Sequence, residues 1–164
     1  LVSGTCMHVG KTATACELIK RFTAHGHRTA AGKLTGVSLA RDIAGMTDYG
    51  AICAYDFTDG GLPSTTNPAT VLGVAKGILN ALERSEPDVI VLEMGDGLLG
   101  GYGVQAILED PEIQAATRVH ILCAHDPVGA FGGKDVAARF GLPIDIVSGP
   151  TTDNQVGRPA RAGS

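Results

Sequence analysis

The chain has 164 residues, of which 44% are hydrophobic and 18% charged, and its formal net charge is −4. This length suits one domain with a substantial core, and an ordinary apolar fraction with little net charge excludes a chain that is disordered throughout. The acidic balance gives no general attraction to nucleic acid or to an anionic membrane surface, and no apolar run approaches the roughly 18 residues that a membrane span needs.

The cysteines indicate a reducing compartment. Cys6, Cys16, Cys53 and Cys123 are scattered along the chain, and no pair has the C-x-x-C spacing. So few thiols in a chain of this length do not make a disulfide framework. No charged and then apolar leader precedes a cleavage site, so we expect a cytoplasmic protein with free thiols.

Strand-like and helix-like segments alternate along the chain. In chain order the predicted elements are the end of a strand at 1–3, a helix at 9–26, strands at 29–34 and 51–55, a helix at 68–85, a strand at 89–92, a helix at 104–108, a strand at 119–123, a helix at 134–140 and a strand at 144–147. This alternation is typical of a three-layer α/β fold, a doubly wound, mostly parallel sheet with helices on both faces.

The two ends of the chain give less pattern. A first strand needs roughly five residues, and only Leu1 and Val2 are available for it, so we expect a piece of a longer polypeptide. From Asp153 onward there is no apolar period. We therefore expect one domain over 1–152, followed by an irregular tail over 153–164.

Residues 3–12, SGTCMHVGKT, predict a phosphate-binding loop. The strict pattern G-x-x-x-x-G-K-[ST] requires glycine at position 5, where the chain has threonine, and the first glycine lies one place earlier. The GKT triplet nevertheless lies between a strand end and a helix start, where backbone N–H groups and the helix dipole favour an anion. The predicted phosphate-binding residues are Gly4, Thr5, His8, Val9, Gly10, Lys11, Thr12 and Thr14. Lys11 would reach a terminal phosphate and the Thr12 hydroxyl would ligate Mg²⁺; the alternative is an ordinary glycine turn with a solvated lysine.

Acidic residues follow two of the predicted strands. A phosphate loop of this kind requires an acid from a neighbouring strand to hold the metal, and Glu93 or Asp96 is predicted to do so, directly or through water. An acid at a strand end also commonly caps the next helix. Asp56 is predicted to position water or substrate or to orient Lys11, with simple turn chemistry as an equal alternative.

These motifs resemble two families. The spacing of Gly4 and Thr5 from Gly10, Lys11 and Thr12 resembles the extended phosphate loop of dethiobiotin synthetase and its MinD-like relatives. Over roughly 4–126 the chain is similar to the P-loop domain of D-glutamate N-acetyltransferase-like proteins. Their Asp-Phe-x-x-Gly segment is 56–60 here, their acid strand is 93–98, and a later strand ends in the histidine and acid at 125–126.

The resemblance implies a P-loop NTPase fold and, in the second family, a separate amino-terminal domain upstream. The chain also departs from both patterns. Cys6 and His8 stand where dethiobiotin synthetase carries acids in the loop, and Met94 stands where both families have glycine. Dethiobiotin synthetase chemistry is therefore not implied.

Other residues carry weaker signals. Cys6 and His8 provide too few ligands for structural zinc, which generally requires four. His125 is a candidate general base, with a surface histidine beside a helix-capping Asp126 as the alternative. Lys33 is predicted either to contact an anionic substrate or to be solvated, and the polar segment 148–154 to contact a nucleotide base.

The leading interpretation is a Mg²⁺-dependent, ATP-binding enzyme that transfers or activates phosphoryl groups on a small molecule, with Lys11, Asp56 and Glu93 as catalytic residues. The first alternative is an amino-acid N-acetyltransferase that holds the phosphates of acetyl-CoA in the same loop. The second is a non-catalytic, nucleotide-dependent binding module. A homo-oligomer is compatible with all three, and nucleic acid and membrane are excluded as partners.

Overall fold

The computed structural model describes residues 1–66 and 68–153. The strands are β1 (Val2–Gly4), β2 (Thr29–Thr35), β3 (Ala54–Asp56), β4 (Val89–Met94), β5 (Ile121–Cys123) and β6 (Ile146–Ser148). The helices are α1 (Lys11–Ala24), α2 (Ala40–Asp48), α3 (Pro68–Glu83), α4 (Val104–Leu108), α5 (Pro111–Ala116) and α6 (Pro127–Arg139), and a 3₁₀ turn follows at Pro150–Thr152. None of these helices combines the length and the hydropathy that crossing a bilayer requires.

The strands form one parallel sheet in the order β3-β2-β4-β1-β5-β6. Parallel neighbours require crossover connections, and the helices supply them on both faces of the sheet. The chain runs outward from β1 to β2 and β3, returns to β4 beside β1, and then continues to β5 and β6 on the other side. The predicted three-layer α/β architecture is confirmed.

Two apolar cores cover the two faces of the sheet. One joins α1 and α2 to the sheet through residues that include Ile19, Met46 and Val91. The other joins α3, α4, α5 and α6 to the opposite face through residues that include Leu82 and Leu122. Successive strand residues alternate between the faces, so Val91 contributes to the first core while Leu92 contributes to the second.

Most element boundaries fall close to the predicted ones. Two helices were not predicted, α2 and α5, and α6 begins at Pro127, well before the predicted start at 134. Glycines at 129, 132 and 133 obscure the first half of α6, which begins with proline after the capping residue Asp126. Residues 154–164 of the predicted tail lie outside the described residues.

The carboxyl ends of the strands meet at one edge, where the backbones of several loops are in close contact. A Cβ placed on Gly97 would lie 2.5 Å from the carbonyl oxygen of Thr5, and one on Gly95 would lie 2.0 Å from that of Thr35. Since real Cβ atoms do not approach carbonyl oxygens so closely, the segment after β4 packs against both neighbouring loops only because it lacks side chains there.

Replacing Gly97 by alanine tests this contact. We expect Gly97→Ala to lower the free energy of unfolding by about 1–3 kcal/mol, as overpacking generally does, in urea denaturation followed by circular dichroism. Gly101→Ala is the matched control, because a Cβ at Gly101 meets no heavy atom within 4 Å. Equal losses in the two variants would contradict the assignment of Gly97 to close packing.

Candidate functional site

The loop between β1 and α1 (residues 5–10) turns the chain sharply at the carboxyl edge of the sheet. His8 and Gly10 have left-handed backbone conformations, with φ of 59° and 90°. Gly10 occupies the N-cap position of α1, where no side chain caps the helix and no acid lies in its first turn. The amino end of this helix therefore keeps its partial positive charge.

Gly4, the last residue of β1, has a steric role at the start of the loop. A Cβ on Gly4 would lie 2.8 Å from both the Lys11 Cδ and the Val9 Cγ2 atoms. Glycine at this position lets the Lys11 side chain fold back over the loop. This contact gives a steric reason for the glycine at position 4.

The loop holds a run of main-chain donors without acceptors. Within the described part of the chain, no backbone N–H group from Cys6 to Ala13 donates a hydrogen bond. The Lys11 Nζ atom donates to the Cys6 carbonyl oxygen at 2.7 Å, and only 6% of Lys11 is exposed. Burial lowers the pKa of Lys11, although nearby Glu93 opposes the shift. The loop thus places unpaired main-chain donors and one ammonium group at the amino end of a helix, where the helix dipole favours an anion.

Across the sheet, β4 presents Glu93 to the first turn of α1. The Thr12 Oγ1 atom donates to Glu93 Oε1 at 2.9 Å, and Glu93 is 2% exposed. Its other oxygen, Oε2, is buried and has no partner among the described residues. Burial raises the pKa of Glu93, opposed by the charge of Lys33 and the hydrogen bond from Thr12. The structure thus brings together the hydroxyl and the carboxylate that the sequence predicted.

A cleft of about 370 Å³ opens between the β1–α1 loop and the segment that joins β2 to α2. Its volume lies within the range of small-molecule sites. The lining residues are Met7, His8, Gly10, Lys11, Thr12 and Ala13 on one side, Lys33, Val37, Leu39, Arg41 and Asp42 on the other, and Glu93, Gly95 and Asp96 at the end of β4. A larger, mostly apolar cavity of about 670 Å³ lies at the opposite edge of the sheet, away from these residues.

The β2–α2 side of the cleft was largely missed by the sequence analysis. Lys33 was a candidate, but its partner was not: the Lys33 ammonium forms a buried ion pair with Asp42, in the first turn of α2. Arg41 lies beside Asp42 and is exposed. Asp42 could not be recognised from the sequence, because the helix that carries it was not predicted.

Asp56 lies behind this wall and not on the cleft. Its Oδ2 atom accepts a hydrogen bond from the Ser38 hydroxyl, and its Oδ1 atom accepts from Thr58 N at 2.7 Å and Thr58 Oγ1 at 2.5 Å. Burial acts against ionisation, but these hydrogen bonds lower the pKa of Asp56 overall. The carboxylate thereby anchors the segment that carries the cleft wall.

Two further residues named from the sequence form contacts at the same edge of the sheet. The Thr14 hydroxyl lies 3.1 Å from Ser148 Oγ, at the end of β6. Asp126 Oδ1 accepts from Gly129 N at 2.8 Å and caps α6, which confirms the capping alternative for that residue.

Comparisons with known proteins find a structural likeness only. No family model matches the chain, and no curated protein does. A structure of the signal recognition particle receptor FtsY from Elizabethkingia anophelis in complex with GDP matches with a TM-score of 0.61 and 17% identity, over 89% of this chain. A second FtsY structure from the same organism matches with a TM-score of 0.51 and 16% identity, over 88% of this chain.

This likeness shows the fold. The chain spans about half of the length of the FtsY chains, 46% in each case. The parallel sheet and the loop before α1 have the P-loop NTPase architecture, so the predicted fold is confirmed. The narrower resemblance to D-glutamate N-acetyltransferase-like proteins stays a prediction.

Replacing Glu93 by glutamine tests the burial of this carboxylate. Because burial raises its pKa, Glu93 contributes stability that is complete below the pKa of an unfolded glutamate, about 4.3, and that is lost as the pH rises through the folded pKa. We therefore expect the free energy of unfolding of Glu93→Gln, relative to the wild type, to increase between pH 4 and pH 7 in urea titrations without metal or nucleotide. The exposed Glu83→Gln serves as control, and a relative stability independent of pH would contradict the prediction.

Proposed function

We propose that the chain is a Mg²⁺-dependent, nucleotide-binding P-loop domain of an enzyme that transfers or activates phosphoryl groups on a small molecule. The observation that carries the proposal is the run of backbone N–H groups from Cys6 to Ala13, which have no acceptors among the described residues and which belong to the loop that the Lys11 ammonium group contacts. The described residues provide no hydrogen-bond acceptors for these N–H groups, and a polyphosphate would supply them.

Phosphate binding requires only a local change in the loop. The Lys11 Nζ atom exchanges the Cys6 carbonyl oxygen for a phosphate oxygen, and the N–H groups from His8 to Thr12 donate to the same phosphates. The GDP complex of FtsY, a protein of the same fold, supports a nucleotide as the ligand. The sequence favours ATP, and titration with both ATP and GTP measures the preference between adenine and guanine.

The residues at the end of β4 fit a magnesium ion. Hydroxyl and carboxylate oxygens are ligands that Mg²⁺ prefers, and Thr12 and Glu93 lie in contact, with Glu93 Oε2 buried and unpartnered among the described residues. Asp96 lines the same cleft. Within the described ranges no three His, Cys, Asp or Glu side chains group together to hold a metal ion, so an ion held here would take its remaining ligands from phosphates and water. When bound, the ion neutralises charge on the transferring phosphoryl group.

The reacting substrate would enter from the β2–α2 side. There the cleft presents Lys33 and Arg41 as cations and Val37 and Leu39 as apolar contacts. Lys11 stabilises the negative charge of the transferring group, and Glu93 holds the metal. In this proposal Asp56 acts through Ser38, by holding the wall against which the substrate binds. Catalysis of this kind depends on placement and charge stabilisation.

Isothermal titration of the whole chain with ATP, GTP and acetyl-CoA, each with Mg²⁺, tests the proposal directly. Nucleotide binding followed by turnover supports it. Binding of acetyl-CoA with thioester consumption would instead favour the N-acetyltransferase alternative. Nucleotide binding without turnover on any acceptor would favour the non-catalytic module.

Lys11→Ala tests the central contact. We expect this variant to weaken Mg-nucleotide binding about 100-fold, because a hydrogen bond to a charged group contributes about 1.5–3 kcal/mol. The midpoint of thermal unfolding should stay within about 4 °C of the wild type, since removal of a buried ammonium group also removes its desolvation penalty. Lys20→Ala, an exposed lysine on the same helix, is the control. Unchanged affinity in Lys11→Ala would show that Lys11 does not bind phosphate.

A further inference from the structure

The Lys33–Asp42 ion pair lies on the wall of the cleft, and its acid, Asp42, has no part in the proposed function. Lys33 and Asp42 are 6% and 8% exposed, and both line the cleft. Removing two charges from water carries a penalty that their attraction offsets only in good geometry, and apolar residues of similar volume are often as stable or more so. A contribution to folding stability therefore does not by itself account for the presence of this buried ion pair.

The surroundings of Lys33 point to the phosphate end of the cleft. In the register of the sheet, Lys33 on β2 lies opposite Glu93 on β4 and Asp56 on β3. The charge of Lys33 is the largest influence opposing the raised pKa of Glu93, whose carboxylate receives the Thr12 hydroxyl. The Lys33 ammonium group thus lies close to the carboxylate that is proposed to hold the metal.

An ammonium group has three N–H donors. Within the described ranges, Lys33 uses one of them, toward Asp42. Its long side chain would otherwise be free to change rotamer, and an unpaired lysine in this position would seek Glu93 instead. The ion pair with Asp42 on α2 keeps the ammonium group in the cleft, near Glu93 but not in an ion pair with it.

We propose that Asp42 is a positioning residue that holds the Lys33 ammonium group in the cleft, with its remaining N–H donors available to the terminal phosphoryl group of a nucleoside triphosphate. This inference rests on the proposed function. It assigns to α2 a part in recognising the terminal phosphate, because Asp42 lies in the first turn of that helix.

The test is the ratio of the affinities for Mg-ATP and Mg-ADP, measured by isothermal titration of the whole chain, or for GTP and GDP if the wild type prefers guanine. The variants are Asp42→Asn, Lys33→Met and the double variant with both changes, with Asp48→Asn as a control on the exposed end of α2. We expect Asp42→Asn and the double variant each to lower the ratio of triphosphate to diphosphate affinity about tenfold, the size of one charge-assisted hydrogen bond. Asp48→Asn should leave the ratio unchanged.

The double variant also keeps the test valid if a single change leaves a buried charge unpaired and prevents folding, because it removes both charges together. If Asp42 acts through Lys33, the Asp42→Asn change has no further effect on the ratio once residue 33 is methionine. Equal weakening of triphosphate and diphosphate binding by Asp42→Asn would mean that Asp42 only shapes the cleft, which overturns the inference. A wild-type chain that binds neither nucleotide contradicts the proposed function itself, whereas a wild type that binds both with a ratio insensitive to Asp42 contradicts only this inference.

Discussion

The rest of the site depends on the unpaired main-chain N–H groups in the loop between β1 and α1. The first turn of any α-helix leaves N–H groups without acceptors inside the helix, and here the preceding loop adds more of them. The starts of α5 and α6 are capped by aspartate side chains, as when Asp110 accepts from Glu112 N and Ile113 N. At α1 no side chain does this, and the lysine next to Gly10 turns to a backbone carbonyl. The amino end of α1 thus stays open at the edge where the cleft lies, whereas those of α5 and α6 are closed by their own caps.

The strand register explains why charged residues gather beside that open end. Ala31 and Val91 lie in the core under α1 and α2. Two residues further along the same strands, the same face carries Lys33 and Glu93. The charged row is thus the last layer of an apolar core, reached where the strands end and the helices above them begin. Burial of these charged side chains is unfavourable, and it occurs at the edge where open α/β sheets bind their ligands.

The parts of the site that the sequence predicted are those whose signal is local. The GKT triplet between a strand end and a helix, and the acid that ends an apolar run, are readable without tertiary structure, and the structure brings Thr12 and Glu93 into contact. Asp42 was missed because α2 buries few residues and contains Gly45, so its pattern is weak. Asp56 was a catalytic candidate because acids at the ends of strands often lie in active sites. Its contact with Ser38 depends on the path of another loop, and no local sequence pattern predicts that path.

The charges that line the cleft largely compensate one another before any ligand binds. Lys11, Lys33, Asp42 and Glu93 give two positive and two negative charges, so the cluster is neutral by itself and its members offset one another without a ligand. Two features remain unbalanced within the described residues: the backbone donors of the loop and the buried Glu93 Oε2 atom. The first requires an anion and the second a cation or a proton. The ligand of the proposed function, a polyphosphate with its divalent metal, carries both charges and would satisfy the two features together, whereas phosphate alone or metal alone would satisfy only one. On the proposed function, the cleft should therefore bind the pair more tightly than either component.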